Sequence, residues 1–570
     1  MITAVGGKLT ASSRIPGSDR VTVNPIGRAC LVLGVLLAAL ATRAAPPDSR
    51  LAAAEALYAD WVDANYAALS LAAGPMTELE GRDRAAWERL RIERAARLGP
   101  ALDGIDAGAL KSVDARALVV MRRAFADPPA VPAAAAPGQS AALCDRAAEA
   151  AANHTLLSRA LYACFEEHGN HVAFEGRSIV RSTALELLAE LDTSERRRAL
   201  FAALGPLWLR INANDEPGSP YRRLIALAGA KAKRSGTSPI REGAGTVGAT
   251  EAQAEHWLIE VLEAWRTANP GPALEPWDYW HHYAGAVAPL DALIPPTRVL
   301  ELSKAYYRDL GADLDALGVL HDLEVRPGKA PLAYADFVRT GRRQDGTWRP
   351  AIARVSANVE HGGLFVLNEI VHEDGHAVHM AAVRTRPAFF DLGDDLYLEA
   401  FADVTSWNVA DPRWQQRYLG TRIDEHDSLR ALFGNVMLDV AWGLFEARML
   451  HAPTSDPNAV WTEITSRYLN IRPHPELSWW ALRVQLVDVP GYMINYGLGA
   501  ILTADIRART RAGIGEFSAG NPRWYRYTSA ALLRHGAAIE TPALLRQFLG
   551  RPVSDAALLR EIARIGKPAG

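Results

Sequence analysis

The sequence predicts a mainly α-helical fold, on the strength of three observations. The 570-residue chain uses alanine and leucine heavily alongside arginine and glutamate, and all four favour helix. Apolar residues recur three and four positions apart over most of its length, which is the spacing of one helix face. The segment 347–367 carries β-branched residues and is the best candidate for a strand, so we expect only a small β element.

Along the chain, the patterns first predict helices over 48–125, a connector rich in proline and alanine over 127–142 and further helices over 144–227. A glycine-rich loop over 241–253 and a helix over 254–268 are predicted next. The strand candidate follows these. After Ala381 the pattern indicates helices joined by short loops to the end of the chain.

Residues 1–45 resemble a secretory signal peptide. Basic residues precede an apolar run over 29–41, and small residues follow it. A run of this length is short for a membrane span, so we expect cleavage, a periplasmic or secreted protein, and no stable membrane insertion of the mature chain. An uncleaved anchor is the alternative. The rest divides into a predicted N-terminal helical half, 46–345, and a catalytic helical half, 346–570.

Composition narrows the class of partner. Hydrophobic residues make up 49% and charged residues 22%, as in soluble globular proteins, and the net charge is -3. We therefore expect neither nucleic acid nor an anionic membrane as a partner. Cys144 and Cys164 lie beyond the leader, and the sequence leaves open whether they pair or remain buried thiols.

The stretch VHEDGHAVHM, 371–380, predicts a metal site. It contains His-Glu-x-x-His within a segment, 364–383, that is compatible with helix. Side chains four residues apart share a helix face, so His372 and His376 can bind one ion together, and neutral imidazoles suit zinc. A catalytic zinc needs a third protein ligand and keeps one position for water.

A second predicted helix supplies that third ligand. After Pro387 a loop with Asp394 or Asp395 as helix cap leads into LYLEAFADVTSW, which carries Glu399 and Asp403 four residues apart. Glu399 can bind the metal, and Asp403 can accept the outer N–H of a ligand histidine. The expected cofactor is one Zn²⁺ per chain.

Glu373 and His379 are the other two chemically active residues of the motif. Glu373 points about a quarter-turn away from the first ligand, toward the water that the metal activates. We expect it to take the proton of that water and to pass it to the leaving amine. His379 lies one turn beyond His376, and we expect it to pack beside the site rather than to bind the metal.

HEDGHAVH, with EAFAD starting after a gap of 22 residues from His376, resembles the gluzincin metallopeptidases. The nearest families are two. The spacing from His376 to Glu399 and the Glu-Ala-x-x-Asp motif favour the angiotensin-converting-enzyme-like peptidyl dipeptidases. The residues HAVH favour the thimet oligopeptidase and oligopeptidase F group. The resemblance implies an almost wholly helical fold whose two halves enclose a deep channel with zinc on its floor. It also implies an edge strand at 355–363 that pairs with extended substrate.

The resemblance extends to LRVQLVDVPGYMINYGLGAIL, 482–502. Both families have tyrosines here that hydrogen-bond the oxyanion or the peptide terminus, which implies these roles for Tyr492 and Tyr496. Arg483 aligns with a lysine that binds the substrate's terminal carboxylate. Gln485 aligns with a histidine that supports the transition state.

Each of these four assignments has an alternative. The tyrosines can be core residues. Arg483 can face solvent or pair with Asp488. His474 can replace the histidine that is missing at Gln485.

The resemblance thus predicts a zinc-dependent peptidase that hydrolyses short peptides, either as a peptidyl dipeptidase or as an oligopeptidase. A zinc enzyme that hydrolyses non-peptide amides is one alternative. A catalytically weak or inactive helical protein that binds peptides is another; the intact histidine-glutamate set argues against it, and only Gln485 supports it. The sequence does not indicate the oligomeric state.

Overall fold

The computed structural model describes residues 49–566 apart from residues 75 and 80 and the segments 127–138, 148–151, 214–218, 327–328 and 330–332. This part of the chain is mainly α-helical, which confirms the predicted fold class. The predicted leader and most of the predicted connector lie outside the described residues.

The helices of the first half are, in chain order, α1 (Ser49–Ala73), α2 (Arg84–Asp103), α3 (Ser112–Ala126), α4 (Gln139–Asp145), α5 (His154–Cys164), α6 (Arg181–Glu190), α7 (Ser194–Ala203), α8 (Gly205–Asn212), α9 (Pro220–Ser235), α10 (Pro239–Thr246), α11 (Glu251–Ala268), α12 (Tyr279–Ala284), α13 (Ala288–Asp291) and α14 (Pro296–Asp309).

Those of the second half are α15 (Leu364–Ala382), α16 (Asp395–Ser406), α17 (Pro412–Leu419), α18 (Glu425–His451), α19 (Pro457–Tyr468), α20 (Gln485–Asp488), α21 (Met493–Ile514), α22 (Arg523–Ala531), α23 (Thr541–Leu549) and α24 (Ala556–Ile565). The strands are β1 (Val172–Phe174), β2 (Arg177–Ile179), β3 (Val319–Asp322), β4 (Tyr334–Arg339), β5 (Arg342–Gln344), β6 (Thr347–Arg349) and β7 (Ile352–Ser356).

The predicted strand is present, but it is not an edge strand. β7 lies in the centre of a three-stranded sheet, parallel to β3 on one side and antiparallel to β4 on the other. Its backbone groups over Ile352–Ser356 are therefore already paired, and an extended peptide cannot add to it there. The expectation of a substrate-binding edge at 355–363 is therefore wrong for Val355 and Ser356 and stays a prediction for 357–363. The sequence pattern did not show this, because it predicted no strand in the segments that form β3 and β4.

The glycine-rich loop predicted at 241–253 is also partly wrong. Its first half belongs to α10, which begins at Pro239 after the cap Ser238. Gly243 of this helix faces α21, where a Cβ atom would lie 3.4 Å from Ile494. α10 packs against α11 and α21, so tertiary packing overrides the weak helix propensity of the segment.

Cys144 and Cys164 form a disulfide bond, which resolves the alternative that the sequence left open. The bond joins the end of α4 to the end of α5. The division into halves at residue 345 stays a prediction, since one hydrophobic core gathers buried residues all the way from Cys144 to Ile565.

Five packed helices position the site. α15 packs against α14 and against α16, α16 packs against α21, and α21 packs against α18. β7 runs directly before α15 in the chain and also packs on it. None of the described helices combines the length and the apolar character that crossing a bilayer requires.

Candidate metal centre

The motif 371–380 lies in the second half of α15, as its helical pattern predicts. The helix ends at Ala382, one residue before the end of the segment predicted to be compatible with helix, and Pro387 begins a short helical turn after it. His372 and His376 project from one face, with their rings 4.7 Å apart. The two histidines therefore share one helix face, as their four-residue spacing predicts.

α16 brings the third predicted ligand to the same point. Asp394 caps this helix by accepting the N–H of Leu396 at 3.1 Å, as one of the two predicted caps. Glu399 Oε2 lies 3.4 Å from Nε2 of His372 and 3.9 Å from Nε2 of His376. The two histidine Nε2 atoms are 3.1 Å apart.

These three side chains fit a zinc ion. Ligands at the usual zinc distance in tetrahedral geometry are roughly 3.3–3.4 Å from one another, close to the three separations observed. Glu399 Oε2 is buried and has no hydrogen-bond partner within the described part of the chain. A buried carboxylate oxygen with no partner is costly, and a cation between it and two imidazoles would satisfy it. Burial lowers the pKa of His376 and keeps its ring neutral, which is the form that binds metal.

Two further side chains contact the ligands. Asp403 Oδ1 lies 2.8 Å from Nδ1 of His372, so it fixes the tautomer that leaves Nε2 free to bind metal. This is the contact predicted from the four-residue spacing. The Tyr492 hydroxyl donates to Glu399 Oε1 at 3.1 Å. Tyr492 is thus placed to orient the glutamate, and the oxyanion role given to it by resemblance stays a prediction.

Glu373 is buried beside the ligands, with 3% of its surface exposed. Burial raises its pKa to about 8. A carboxyl group with a pKa near neutrality can both accept and release a proton under physiological conditions, which a general base needs. Glu373 therefore lies buried next to the candidate ligands, and its role as proton carrier stays a prediction.

His379 packs in the core, as expected. It is buried among aromatic rings, and its ring centre lies 5.5 Å from those of Tyr397 and Phe401. Burial lowers the pKa of His379 to about 3, so the ring is neutral. The group of His, Cys, Asp and Glu side chains close enough to hold an ion, among the described residues, is the His372, His376 and Glu399 set.

Arg483 lies in a second group of polar residues, beside the first. Its guanidinium pairs with Asp439 of α18 and lies 4.7 Å above the ring of Trp442. Gln485 hydrogen-bonds the phenol of Tyr496, whose surroundings also include Arg483. We call Asp439, Arg483, Gln485 and Tyr496 the arginine cluster. Pairing of Arg483 with Asp488, one of the predicted alternatives, is wrong.

The arginine cluster adjoins the ligands. The Tyr492 and Tyr496 rings lie 5.6 Å apart, so the first tyrosine links Glu399 to the second. Burial raises the pKa of Asp439; Arg483 opposes this, and the negative charges of Asp403 and Glu399 add to it. Asp439 could not be identified from the sequence, because nothing in the helical pattern of α18 distinguishes it from the other carboxylates of that helix.

His474 does not take the place of the missing histidine. Its two ring nitrogens lie 2.6 Å from Glu476 and 2.8 Å from Glu275. Both nitrogens are therefore occupied by carboxylates. His361, another loop histidine, is half exposed beside Glu360.

Comparison with known proteins identifies a shared fold. No protein-family model matches the chain, and no curated protein matches it. Among solved structures, metallocarboxypeptidase 1 of Trypanosoma cruzi is similar with a TM-score of 0.52 and 15% identity, over 91% of this chain and 99% of that one. An M32 carboxypeptidase from Deinococcus radiodurans is similar with a TM-score of 0.50 and 15% identity, over 91% and 100%. At this identity the likeness establishes the fold, and the finer resemblance to peptidyl dipeptidases and oligopeptidases stays a prediction.

Proposed function

We propose that the protein is a zinc-dependent peptidase that hydrolyses short peptides. One observation carries the proposal: two imidazole nitrogens and an unpartnered carboxylate oxygen converge from α15 and α16 to within 4.8 Å of one another. A buried proton carrier, Glu373, lies beside them. The carboxypeptidase names of the two structural neighbours support peptide as the substrate class.

Each residue then has a chemical task. His372, His376 and Glu399 would hold the zinc, which supplies Lewis acidity to activate water and to polarise the scissile carbonyl. Glu373 accepts the proton of the attacking water and delivers it to the leaving amine. Asp403 and Tyr492 hold the histidine and the glutamate in their binding orientations. Tyr496 and Gln485 supply hydrogen-bond donors in the arginine cluster, which adjoins the candidate metal ligands.

We further propose that cleavage is counted from the carboxyl terminus of the peptide. Arg483 is the cation of the arginine cluster, and a guanidinium can bind a carboxylate through two parallel hydrogen bonds. The pairing of Arg483 with Asp439 favours a second candidate, internal cleavage, because a substrate carboxylate would have to compete with Asp439 for the same cation.

Export of the protein is also part of the proposal. A disulfide bond such as Cys144–Cys164 persists in oxidising compartments such as the periplasm or the exterior. This is consistent with the leader predicted over 1–45. Labelling of free thiols in the protein purified from an exported fraction tests the pairing, and two reactive thiols there would contradict it.

A mixed library of short peptides tests the proposed activity. The purified protein is incubated with the library, with and without a zinc chelator, and the fragment masses are read. We expect cleavage that the chelator abolishes and that added zinc restores, with fragments of fixed length from the carboxyl end. Fragments cut at internal positions would favour the oligopeptidase. Binding of peptides without any cleavage would contradict the proposal and favour the inactive binding protein.

A further inference from the structure

One buried hydroxyl group joins the two helices that carry the candidate ligands. The Tyr307 hydroxyl, on α14, donates to the carbonyl oxygen of Val371 at 2.7 Å. The hydroxyl oxygen of Tyr307 also lies 2.7 Å from Oγ1 of Thr405, on α16. A phenol has one proton, so the Tyr307 oxygen accepts from Thr405 while it donates to Val371. The single proton of the Thr405 hydroxyl is shared with the Ala402 carbonyl, which lies 3.2 Å away. Both side chains are fully buried, so water does not compete for these bonds.

The hydroxyl lies where the two ligand helices cross most closely. A Cβ atom on Gly375 would lie 2.9 Å from the Cα of Ala402 and 3.2 Å from the Tyr307 hydroxyl. There is therefore no room for a side chain at Gly375, and the backbones of α15 and α16 are in direct contact. The Val371 carbonyl belongs to the peptide group of His372, and Ala402 lies within one turn of Glu399.

α14 holds α15 at a second point. The Ser303 hydroxyl, one turn before Tyr307, donates to Asp374 Oδ2 at 2.6 Å. Nε2 of His321, on β3, lies 2.8 Å from the other oxygen of the same carboxylate. The orientation of α15 about its own axis is thus fixed independently of α16.

Two contacts join α15 to α16 directly: Asn368 donates to the Ser406 carbonyl at 2.9 Å, and His372 contacts Asp403. Tyr307 adds a link from a third helix, because its hydroxyl bonds to both α15 and α16.

We propose that Tyr307 is a positioning residue for the metal centre: it sets the distance between the histidine pair and Glu399. This rests on the proposed zinc site. Metal ligands must hold their positions within a few tenths of an ångström, and the partners that orient them contribute strongly to affinity. Phenylalanine at this position would keep the packing of the ring and remove both hydrogen bonds of the phenol, so that Thr405 would retain only its bond to the Ala402 carbonyl within α16. The helices would then be free to shift apart.

The neighbouring tyrosine is a matched control. Tyr306, also on α14 and fully buried, accepts a hydrogen bond from Asn408 at 2.6 Å and makes none to the described residues of α15. Tyr306→Phe therefore removes a buried phenol hydroxyl of the same helix without touching the link between the ligand helices. Both variants should lower the unfolding midpoint of the zinc-free protein to a similar extent.

The test is zinc affinity, measured by competition with a chromophoric chelator on the parent, Tyr307→Phe, Tyr306→Phe and Thr405→Val. We expect Kd for zinc to rise about tenfold in Tyr307→Phe and Thr405→Val, at the lower end for residues that support ligands, and to stay at the parent value in Tyr306→Phe. Equal affinity in the parent and in Tyr307→Phe would overturn the inference, as would equal losses in Tyr307→Phe and Tyr306→Phe.

Two outcomes separate this inference from the proposed function. A parent protein that binds no zinc would contradict the proposed function itself. If Tyr307→Phe does not fold, Thr405→Val decides, because it keeps the bond from Tyr307 to α15 and removes the bond from Tyr307 to α16, together with the Thr405 bond to the Ala402 carbonyl inside α16. Parent-like zinc affinity in a folded Thr405→Val protein would then overturn the inference while leaving the zinc site intact.

Discussion

The ligand residues and the arginine cluster lie side by side but differ in burial and in how they are held. The ligands His376 and Glu399 are at most 5% exposed, the side chain of His372 is 14% exposed, and two adjacent helices carry all three. In the arginine cluster the side chains of Arg483 and Asp439 are 31% and 27% exposed, and they come from separate segments. The buried ligand residues are held in a fixed geometry, whereas the more exposed side chains of the arginine cluster can exchange hydrogen-bond partners. We therefore expect substitutions in the first to abolish chemistry and in the second to change substrate preference.

Glu373→Gln should have the largest effect on turnover. It removes the proton carrier and leaves the three candidate ligands in place, so kcat should fall by about 10²–10⁴ while zinc content and unfolding midpoint stay near the parent values. The measurement is kcat on one cleaved peptide, together with zinc by elemental analysis. A variant that cleaves at close to the parent rate would show that Glu373 is not the general base.

Arg483→Ala should have a smaller effect that depends on the substrate. Loss of a charge-assisted contact to a terminal carboxylate costs about 1.5–3 kcal/mol, so kcat/KM for a free-acid peptide should fall roughly ten- to a hundredfold. The same peptide with an amidated terminus should be little affected. The measurement is kcat/KM for the acid and the amide in both proteins.

Asp439→Asn is the matched variant for this comparison. It releases Arg483 from its ion pair without removing the guanidinium, so it should increase the preference for acid over amide. Equal rates on acid and amide in the parent would mean that Arg483 does not bind a terminal carboxylate, and would favour internal cleavage.

Glu446→Gln should have the smallest effect of the substitutions considered, and it should change only the free energy of unfolding. Glu446 is fully buried on α18 and accepts the backbone N–H groups of Gly491 at 2.6 Å and Met493 at 2.8 Å, on either side of Tyr492. Burial raises its pKa to about 8, against 4.5 for the unperturbed group. The folded state then binds more protons than the unfolded state between these values, so the free energy of unfolding should fall as pH rises from 4.5 to 8.

Urea unfolding of the parent and of Glu446→Gln at pH 5 and pH 8 checks this expectation. The variant cannot titrate at this position, so the parent should lose more stability than the variant between the two pH values. An equal change in both proteins would show that the Glu446 carboxyl does not titrate in this range.

The ligand residues could be predicted from the sequence because their geometry is local. A four-residue spacing places His372 and His376 on one helix face whatever surrounds it, and the same spacing relates Glu399 to Asp403. The caps and the break between α15 and α16 are also local. What the sequence could not provide is the closeness of the two helices, which depends on Gly375 and on a tyrosine 64 residues before Val371.

The arginine cluster could not be predicted because its contacts are tertiary. Asp439 and Arg483 are 44 residues apart, and no periodicity links them. The sheet shows the same limit: β7 has the composition of a strand, but its place between β3 and β4 is decided by two segments without a clear strand pattern. The disulfide bond likewise required the positions of α4 and α5.

Zinc content per chain tests the central claim most directly. Elemental analysis of the purified parent, Glu399→Ala and His379→Ala should give one zinc, close to none and one zinc, because only the first substitution removes one of three protein ligands. His379→Ala is the control for loss of a buried side chain of the same region. Full zinc in Glu399→Ala, or zinc lost in His379→Ala from a protein that still folds, would contradict the assignment of the metal centre.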